Sequence, residues 1–198
     1  MHKDIDKILV SEEDILNKCK ELGAQISKDY DGKLPIFIGL LKGSVPFMAE
    51  LIKNISIDME MDFMDVSSYS GTEQSDVRII KDLETPIRDK YVVVVEDIVD
   101  TGKTYLKVKE LLYAKGAKDV RIVSLLDKKE RREVDVEADY IGFEIPNEFV
   151  IGFGLDYNEK YRNLPYIGVI KPSAIVWKEI KQWKIKTRLL VQYLYYLL

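Results

Sequence analysis

Apolar residues recur at helical spacing near the start of the chain, where Ile15, Cys19, Leu22 and Ile26 offer one face to bury. Ser11 followed by Glu12, Glu13 and Asp14 reads as the start of that helix, with Asp14 an imperfect capping-box partner. Pro35 and "IFIGLL" predict a strand entering the tight stretch "KGS", and "VPFMAELIKNI" predicts a short helix after it. "IDMEMDFMDV" then alternates apolar and acidic residues, the pattern of a strand with one wet face. The polar, small, glycine-containing "SSYSGTEQSD" reads as a mobile loop.

"YVVVVEDI" is different: its unbroken β-branched run suits a central parallel strand covered on both faces. "TYLKVKELLYAK" predicts a helix, Gly116 its stop, and "DVRIVSLLD" the next strand. Strand, helix and strand in that order form the crossover unit of an α/β sheet, whose ligands gather beyond the strand carboxyl ends. A site therefore belongs at "VEDIVDTGKT", residues 95–104.

The 198 residues suit one domain, and 46% hydrophobic with 32% charged residues fits a soluble globular protein. A net charge of -4 and a pI near 5.3 give no general attraction to a polyanion, which makes nucleic acid a poor partner. One cysteine, Cys19, excludes an internal disulfide and a cysteine-rich metal site; an inert buried thiol is expected. His2, the single histidine, is expected to be a bystander at a mobile terminus. Charges interrupt every apolar run of the first residues, so no secretory signal is expected. "SAIVWKEIKQWKIKTRLLVQYLYYLL" at the end carries five basic and one acidic residue, and its apolar finish is too short for an ordinary membrane span.

A phosphate asks for converging amide donors, which a glycine turn leading into a helix supplies, and Thr101, Gly102, Lys103 and Thr104 meet that need. This is no standard P-loop, and the acidic residues upstream would repel a triphosphate unless Mg²⁺ or sugar hydroxyls came between. Glu96 and Asp97 suit the vicinal diol of a sugar whose phosphate the turn would hold. Taken alone, the stretch also fits a solvated acidic loop beside a helix start.

With its companions, "VEDIVDTGKT" resembles the type I phosphoribosyltransferases, and specifically the hypoxanthine-guanine phosphoribosyltransferase family. "LLKGS" resembles that family's pyrophosphate loop, involving Leu41, Lys42 and Gly43, with the isomer of the Leu41–Lys42 peptide left open by the sequence. "SSYSGT" resembles its lid, with Ser68 and Tyr69 closing over the sugar. In "LLDKKERR", the resemblance puts Lys128 at the 6-oxygen of a purine, while Lys129, Glu130, Arg131 and Arg132 read as a solvated charge run. In "EIPNEFVIGFGLDYNEKYR" it puts Phe149 against the purine face, the Val150 backbone at its pyrimidine edge, Asp156 on Mg²⁺ and Arg162 on pyrophosphate. It makes Asp100 the acid/base group near purine N7, with Glu96 and Asp97 contributing indirectly to the metal.

The resemblance implies a mostly parallel central sheet flanked by helices with a small hood, over residues 1–172, and leaves 173–198 as an atypical basic and apolar extension. It implies Mg²⁺-dependent purine salvage in the cytoplasm: 5-phospho-α-D-ribose 1-diphosphate and hypoxanthine or guanine giving IMP or GMP and pyrophosphate. A homodimer or homotetramer is expected; membrane association is not, although the tail makes it testable. The competing readings are a sibling enzyme acting on xanthine and a nucleotide-binding regulator without catalysis.

Overall fold

The computed structural model describes residues 1–68 and 77–175. Its centre is the valine run. β5 (Tyr91–Val99) pairs in parallel with β2 (Ile36–Leu40) on one side and β6 (Asp119–Asp127) on the other, so its backbone groups are satisfied along both edges. Val93 and Val95 pack with residues of α1 (Glu12–Asp29) and α2 (Val45–Ile52), whereas Val92 and Val94 meet Tyr105, Val108 and Leu112 of α3 (Lys103–Ala114). All four valines are fully buried, and each such side chain stabilises the fold by roughly 1.5 to 3 kcal/mol.

With β3 (Glu60–Ser68), β4 (Val77–Lys81) and β7 (Tyr140–Glu144), the sheet has the order β4-β3-β2-β5-β6-β7. Every pairing is parallel except that of β4 at the edge. The mostly parallel, helix-flanked sheet expected from the sequence is therefore present. A smaller antiparallel sheet joins the two ends of the described chain: β1 (Ile5–Val10), β9 (Ile167–Ile170) and β8 (Val150–Ile151), in that order. Val10, Val150, Ile167 and Val169 from it share a core with α1 and α2, which fixes this hood beside the main sheet.

Asp14 completes the capping box of α1 although it is one methylene shorter than glutamate: Ser11 Oγ accepts from Asp14 N at 3.1 Å, and Asp14 Oδ2 from Ser11 N at 3.4 Å. Ile15, Cys19, Leu22 and Ile26 are all buried, as their spacing predicts. Burial, reinforced by Glu50, pushes the Cys19 thiol up to about 12, so it stays protonated and inert. His2 is not at a loose terminus: its backbone N–H donates to Tyr166 Oη at 2.7 Å, and its ring stands edge-on to Tyr161.

The expectation of one wet acidic face on β3 fails at Asp62. This carboxylate is buried while Met61, its neighbour on the opposite face, is about half exposed. Asp62 Oδ1 accepts from Phe63 N at 2.7 Å, and Oδ2 from Glu84 N and Thr85 N, each at 2.8 Å, so it ties β3 to the turn after β4. The pattern of alternation was right, but an acid with backbone donors to satisfy takes the inside.

Burial raises the Asp62 carboxyl, but the donors of Thr85, Phe63 and Glu84, with Lys81 nearby, outweigh it and hold the group below its ordinary value. A depressed carboxyl stabilises the fold above its unfolded pKa and loses that contribution as pH falls through its folded one. Asp62→Asn should cost about 1 to 3 kcal/mol at neutral pH by turning an amide donor toward backbone donors. In urea unfolding, the gap between wild type and variant should narrow below about pH 4.

Candidate functional site

Three parallel strands end side by side, and the residues singled out from the sequence extend from those ends. β5 delivers Glu96 and Asp97, both half-buried. β2 delivers the turn at Leu41, Lys42 and Gly43, in which the Leu41–Lys42 peptide is cis. The Asp97 carboxylate stands directly against the turn: a Cβ on Gly43 would lie 1.7 Å from Asp97 Oδ2. Gly154, at φ +100, approaches from the far side, and a Cβ there would lie 1.9 Å from the Gly43 carbonyl oxygen. Only glycine permits both approaches.

Asp97 Oδ1 accepts from its neighbour Ile98 N at 2.8 Å. Burial raises the Asp97 carboxyl to about 6, against the lowering effect of backbone donors and Arg162. Burial, then the charge of Asp97, raises Glu96 well above its ordinary value. The pair is costly when ionised and the Arg162 guanidinium offsets burial only in part, which is the electrostatic state a cation or a set of hydroxyl donors would relieve.

After Asp100 the chain turns through Gly102, which caps α3 in a left-handed conformation at φ 82. Its Cβ-free face lies under Val134 and Val136. Thr101 O accepts from Glu133 N at 3.0 Å, which fixes the turn from behind. The exposed Lys103 side chain pairs with Glu133 and the Lys103 backbone N–H donates weakly to Thr101 Oγ1 at 3.4 Å, at the positive end of a twelve-residue helix.

β6 ends at Asp127 and presents Lys128, which is 7% exposed. Burial lowers the Lys128 ammonium, while the Asp100 carboxylate supports it. Asp100 is raised, again by burial first, with Arg131, Lys128 and Arg132 opposing. Its Oδ2 accepts from Arg131 Nη1 at 2.6 Å, its backbone oxygen from Arg132 Nη1 at 2.7 Å, and Oδ1 is buried with no partner. The charge run is therefore divided: Lys129 and Glu130 are exposed as expected, but Arg131 and Arg132 are not solvated. Arg132 pairs with buried Asp127 as well. Alternating charges in the sequence gave no sign that a 3-10 turn at Lys129–Arg131 would aim two guanidinium groups inward.

On the hood, Phe149 leads into β8, stands edge-on to Tyr157 at 5.8 Å, and accepts from Ile170 N through its carbonyl. Val150 is buried. Arg162 donates to Gly154 O at 2.8 Å and pairs with Asp156 at 2.8 Å and Glu159 at 3.3 Å. Glu159 Oε2 also lies 3.1 Å from Lys42 Nζ, a bridge between residues 117 positions apart that no local pattern announced. Ser68 ends β3; Tyr69 and the rest of the expected lid, like residues 176–198 of the expected extension, lie outside the described residues.

Asp156, whose charge raises Asp97 slightly, has both oxygens engaged, one with Arg162 at 2.8 Å and one accepting from Glu159 N at 2.8 Å. Among the described residues no group of three or more ligating side chains closes around a metal.

The phosphoribosyl transferase domain profile matches residues 7–158. A hypoxanthine-guanine phosphoribosyltransferase of Lactococcus lactis is 56% identical over 176 residues, covering 88% of this chain and 96% of that protein. One from Streptococcus thermophilus is 55% identical over 173 residues, covering 86% and 96%. The crystal structure of a hypoxanthine phosphoribosyltransferase from Staphylococcus aureus matches with a TM-score of 0.86 at 53% identity, covering 89% of this chain and 97% of that one. That of Trypanosoma cruzi, in complex with the product IMP, matches at 0.84 and 37% identity, covering 88% and 99%.

A carboxyl raised in the folded state stabilises it fully below the unfolded pKa, and that contribution is lost as pH rises through the folded value. For Asp97 the loss falls between about pH 4 and about 6. Asp97→Asn keeps an oxygen for Ile98 N and carries no charge, so it should unfold with about 1 kcal/mol more stability than wild type at pH 7.5. The advantage should close below about pH 4, as read from urea unfolding at both pH values.

Proposed function

The chain belongs to the phosphoribosyl transferase domain family and, within it, to the hypoxanthine-guanine phosphoribosyltransferases, and we propose that it joins the 5-phosphoribosyl group of 5-phospho-α-D-ribose 1-diphosphate to N9 of hypoxanthine or guanine. The products are IMP or GMP and pyrophosphate, and the setting is cytoplasmic purine salvage. The observation that carries this reading is the convergence, at three neighbouring strand ends, of a raised carboxylate pair, a glycine-capped helix start and the buried Lys128 near the half-buried Asp100.

Glu96 and Asp97 accept from the ribose hydroxyls, and the amides of Thr101 to Thr104 hold the 5-phosphate at the positive end of α3. Leu41, Lys42 and Gly43, with Arg162, receive the diphosphate. Lys42 and Arg162 meet on Glu159 in the free protein, so binding exchanges that carboxylate for the incoming anion. Asp156, with indirect help from Glu96 and Asp97, would hold Mg²⁺, which when bound offsets negative charge gathering on the leaving diphosphate.

Phe149 stacks on the base, the Val150 backbone meets its pyrimidine edge, and the Lys128 ammonium donates to the 6-oxygen. As the C1–oxygen bond to diphosphate breaks, C1 gains positive character and N9 bonds to it. The N7 proton then passes to Asp100 Oδ1, the oxygen left without a partner in the free protein. Burial has already raised this carboxyl toward the range where it accepts a proton usefully. Ser68 and Tyr69 close over the sugar to keep water from C1. The catalytic domain is residues 1–172, residues 173–198 are an extension, and the assembly is a homodimer or homotetramer.

The test is competition among equal hypoxanthine, guanine, xanthine and adenine with the diphosphate sugar and Mg²⁺, resolving each nucleotide formed. IMP and GMP are expected; dominant xanthosine monophosphate would move the assignment to a xanthine enzyme. Nucleotide binding with no product from any base would leave a regulator. Asp100→Asn should lower kcat by about 10² or more while the melting temperature stays near wild type.

A further inference from the structure

Three consecutive carbonyls, at the end of β5 and in the turn after it, are held by the segment that follows β6. Val99 O accepts from Lys128 N at 3.0 Å, Asp100 O from Arg132 Nη1 at 2.7 Å, and Thr101 O from Glu133 N at 3.0 Å. Those bonds fix the backbone of Asp100 and leave its carboxylate to turn about its own side-chain bonds. Arg131 removes that freedom: its Nη1 donates to Asp100 Oδ2 at 2.6 Å, in a charge-assisted bond.

The Arg131 side chain is only 10% exposed, and its Nε is buried with no hydrogen-bond partner. A buried guanidinium with an unmatched N–H is a costly way to hold a turn whose carbonyls are already held, and a surface arginine would avoid the cost. The 3-10 turn at Lys129–Arg131 nevertheless carries it inward while Lys129 stays in water. What the bond does accomplish is to divide the two oxygens of Asp100. Oδ2 is engaged, and Oδ1 is the buried acceptor left without a partner.

We propose that Arg131 is a positioning residue for the acid/base step: by holding Asp100 Oδ2 it leaves Oδ1 as the one oxygen set to take the purine N7 proton. The inference rests on the transferase reading, which gives Asp100 its task, and adds a residue that touches no substrate. In that step the N7–H bond breaks, its electron pair stays with the ring, and Oδ1 gains the proton. The Arg131 charge acts in the same sense. Burial raises the Asp100 carboxyl; Arg131 first, then Lys128 and Arg132, oppose the rise, and Glu133 reinforces it. Arg131 thereby favours the ionised form that receives a proton.

The experiment is a double-mutant cycle on the full chain with wild type, Arg131→Met, Asp100→Asn and the double variant, with a melting curve for each. The single-turnover rate of IMP formation is followed, since it reads chemistry apart from product release. Arg131→Met should lower that rate about tenfold, leave the KM for the diphosphate sugar within about twofold, and stay folded at the assay temperature. In the Asp100→Asn background the same substitution should change the rate by less than about twofold, because the group it positions no longer accepts a proton. The acidic limb of the rate–pH profile should move to higher pH in Arg131→Met, since a charge favouring ionised Asp100 is gone. An unchanged rate in Arg131→Met, an equal factor in both backgrounds, or an acidic limb that stays in place overturns the inference. If Arg131→Met melts below the assay temperature, Arg131→Lys decides, because it keeps the charge and loses the fixed fork. A fall of about two- to threefold that is absent in the Asp100→Asn background then supports the inference, and no fall or an equal one overturns it. Wild-type protein that makes no nucleotide from either base overturns the transferase reading and this inference with it; wild-type turnover with an unaltered variant overturns this inference alone.

Discussion

Two backbones and a carboxylate meet where Gly43 lies between the Asp97 side chain and Gly154, and the site depends on the absence of two Cβ atoms there. A methyl on Gly43 would stand 1.7 Å from Asp97 Oδ2, and one on Gly154 would stand 1.9 Å from the Gly43 carbonyl. This contact joins the end of β2, the end of β5 and the loop after β8, elements that come from opposite ends of the chain and from two sheets. The buried valines of β5 hold the strand rigidly beneath, so the approach cannot be relieved by bending the strand away. On the proposed reading, this small contact fixes where the ribose and the diphosphate would sit relative to one another.

The same arrangement explains the electrostatics. Carrying Glu96 and Asp97 directly on from four buried valines places two neighbouring carboxylates where water is scarce, and both are raised in consequence. Across the site, Asp100 is raised and Lys128 lowered by the same cause. Each group is costly in the free protein and is relieved by a complementary partner, which is how a fold trades stability for an organised site. Lys42 and Arg162, assigned to the diphosphate in the proposed reading, both pair with Glu159.

Much of this was legible along the chain because it is local. The valine run, the glycine that starts α3 and the stripe from Ile15 to Ile26 each declare themselves within a few residues, and the structure places them as their periods predict. What escaped was set by partners distant in sequence. Asp62 turned inward because the turn at Glu84 and Thr85 offered backbone donors, and no pattern within β3 could reveal them. Arg131 and Arg132 look like surface charges until the turn that carries them is seen to face Asp100 and Asp127. Glu159 gained its place through Lys42 and Arg162. Family motifs named the residues proposed to touch substrate; they were silent on Glu159, which pairs with Lys42 and Arg162.

The most direct measurement is calorimetric binding of 5-phospho-α-D-ribose 1-diphosphate with Mg²⁺ to wild type and to Gly43→Ala, alongside their melting curves. Because Asp97 Oδ1 is held by Ile98 N, the added methyl can be accommodated only by driving the carboxylate from its position. The account predicts a folded variant whose affinity falls by about 10² or more, the loss expected when a buried polar contact and its neighbour are both displaced. Wild-type affinity in a folded Gly43→Ala protein would contradict it, since the site would then not depend on the close approach of the turn and the strand.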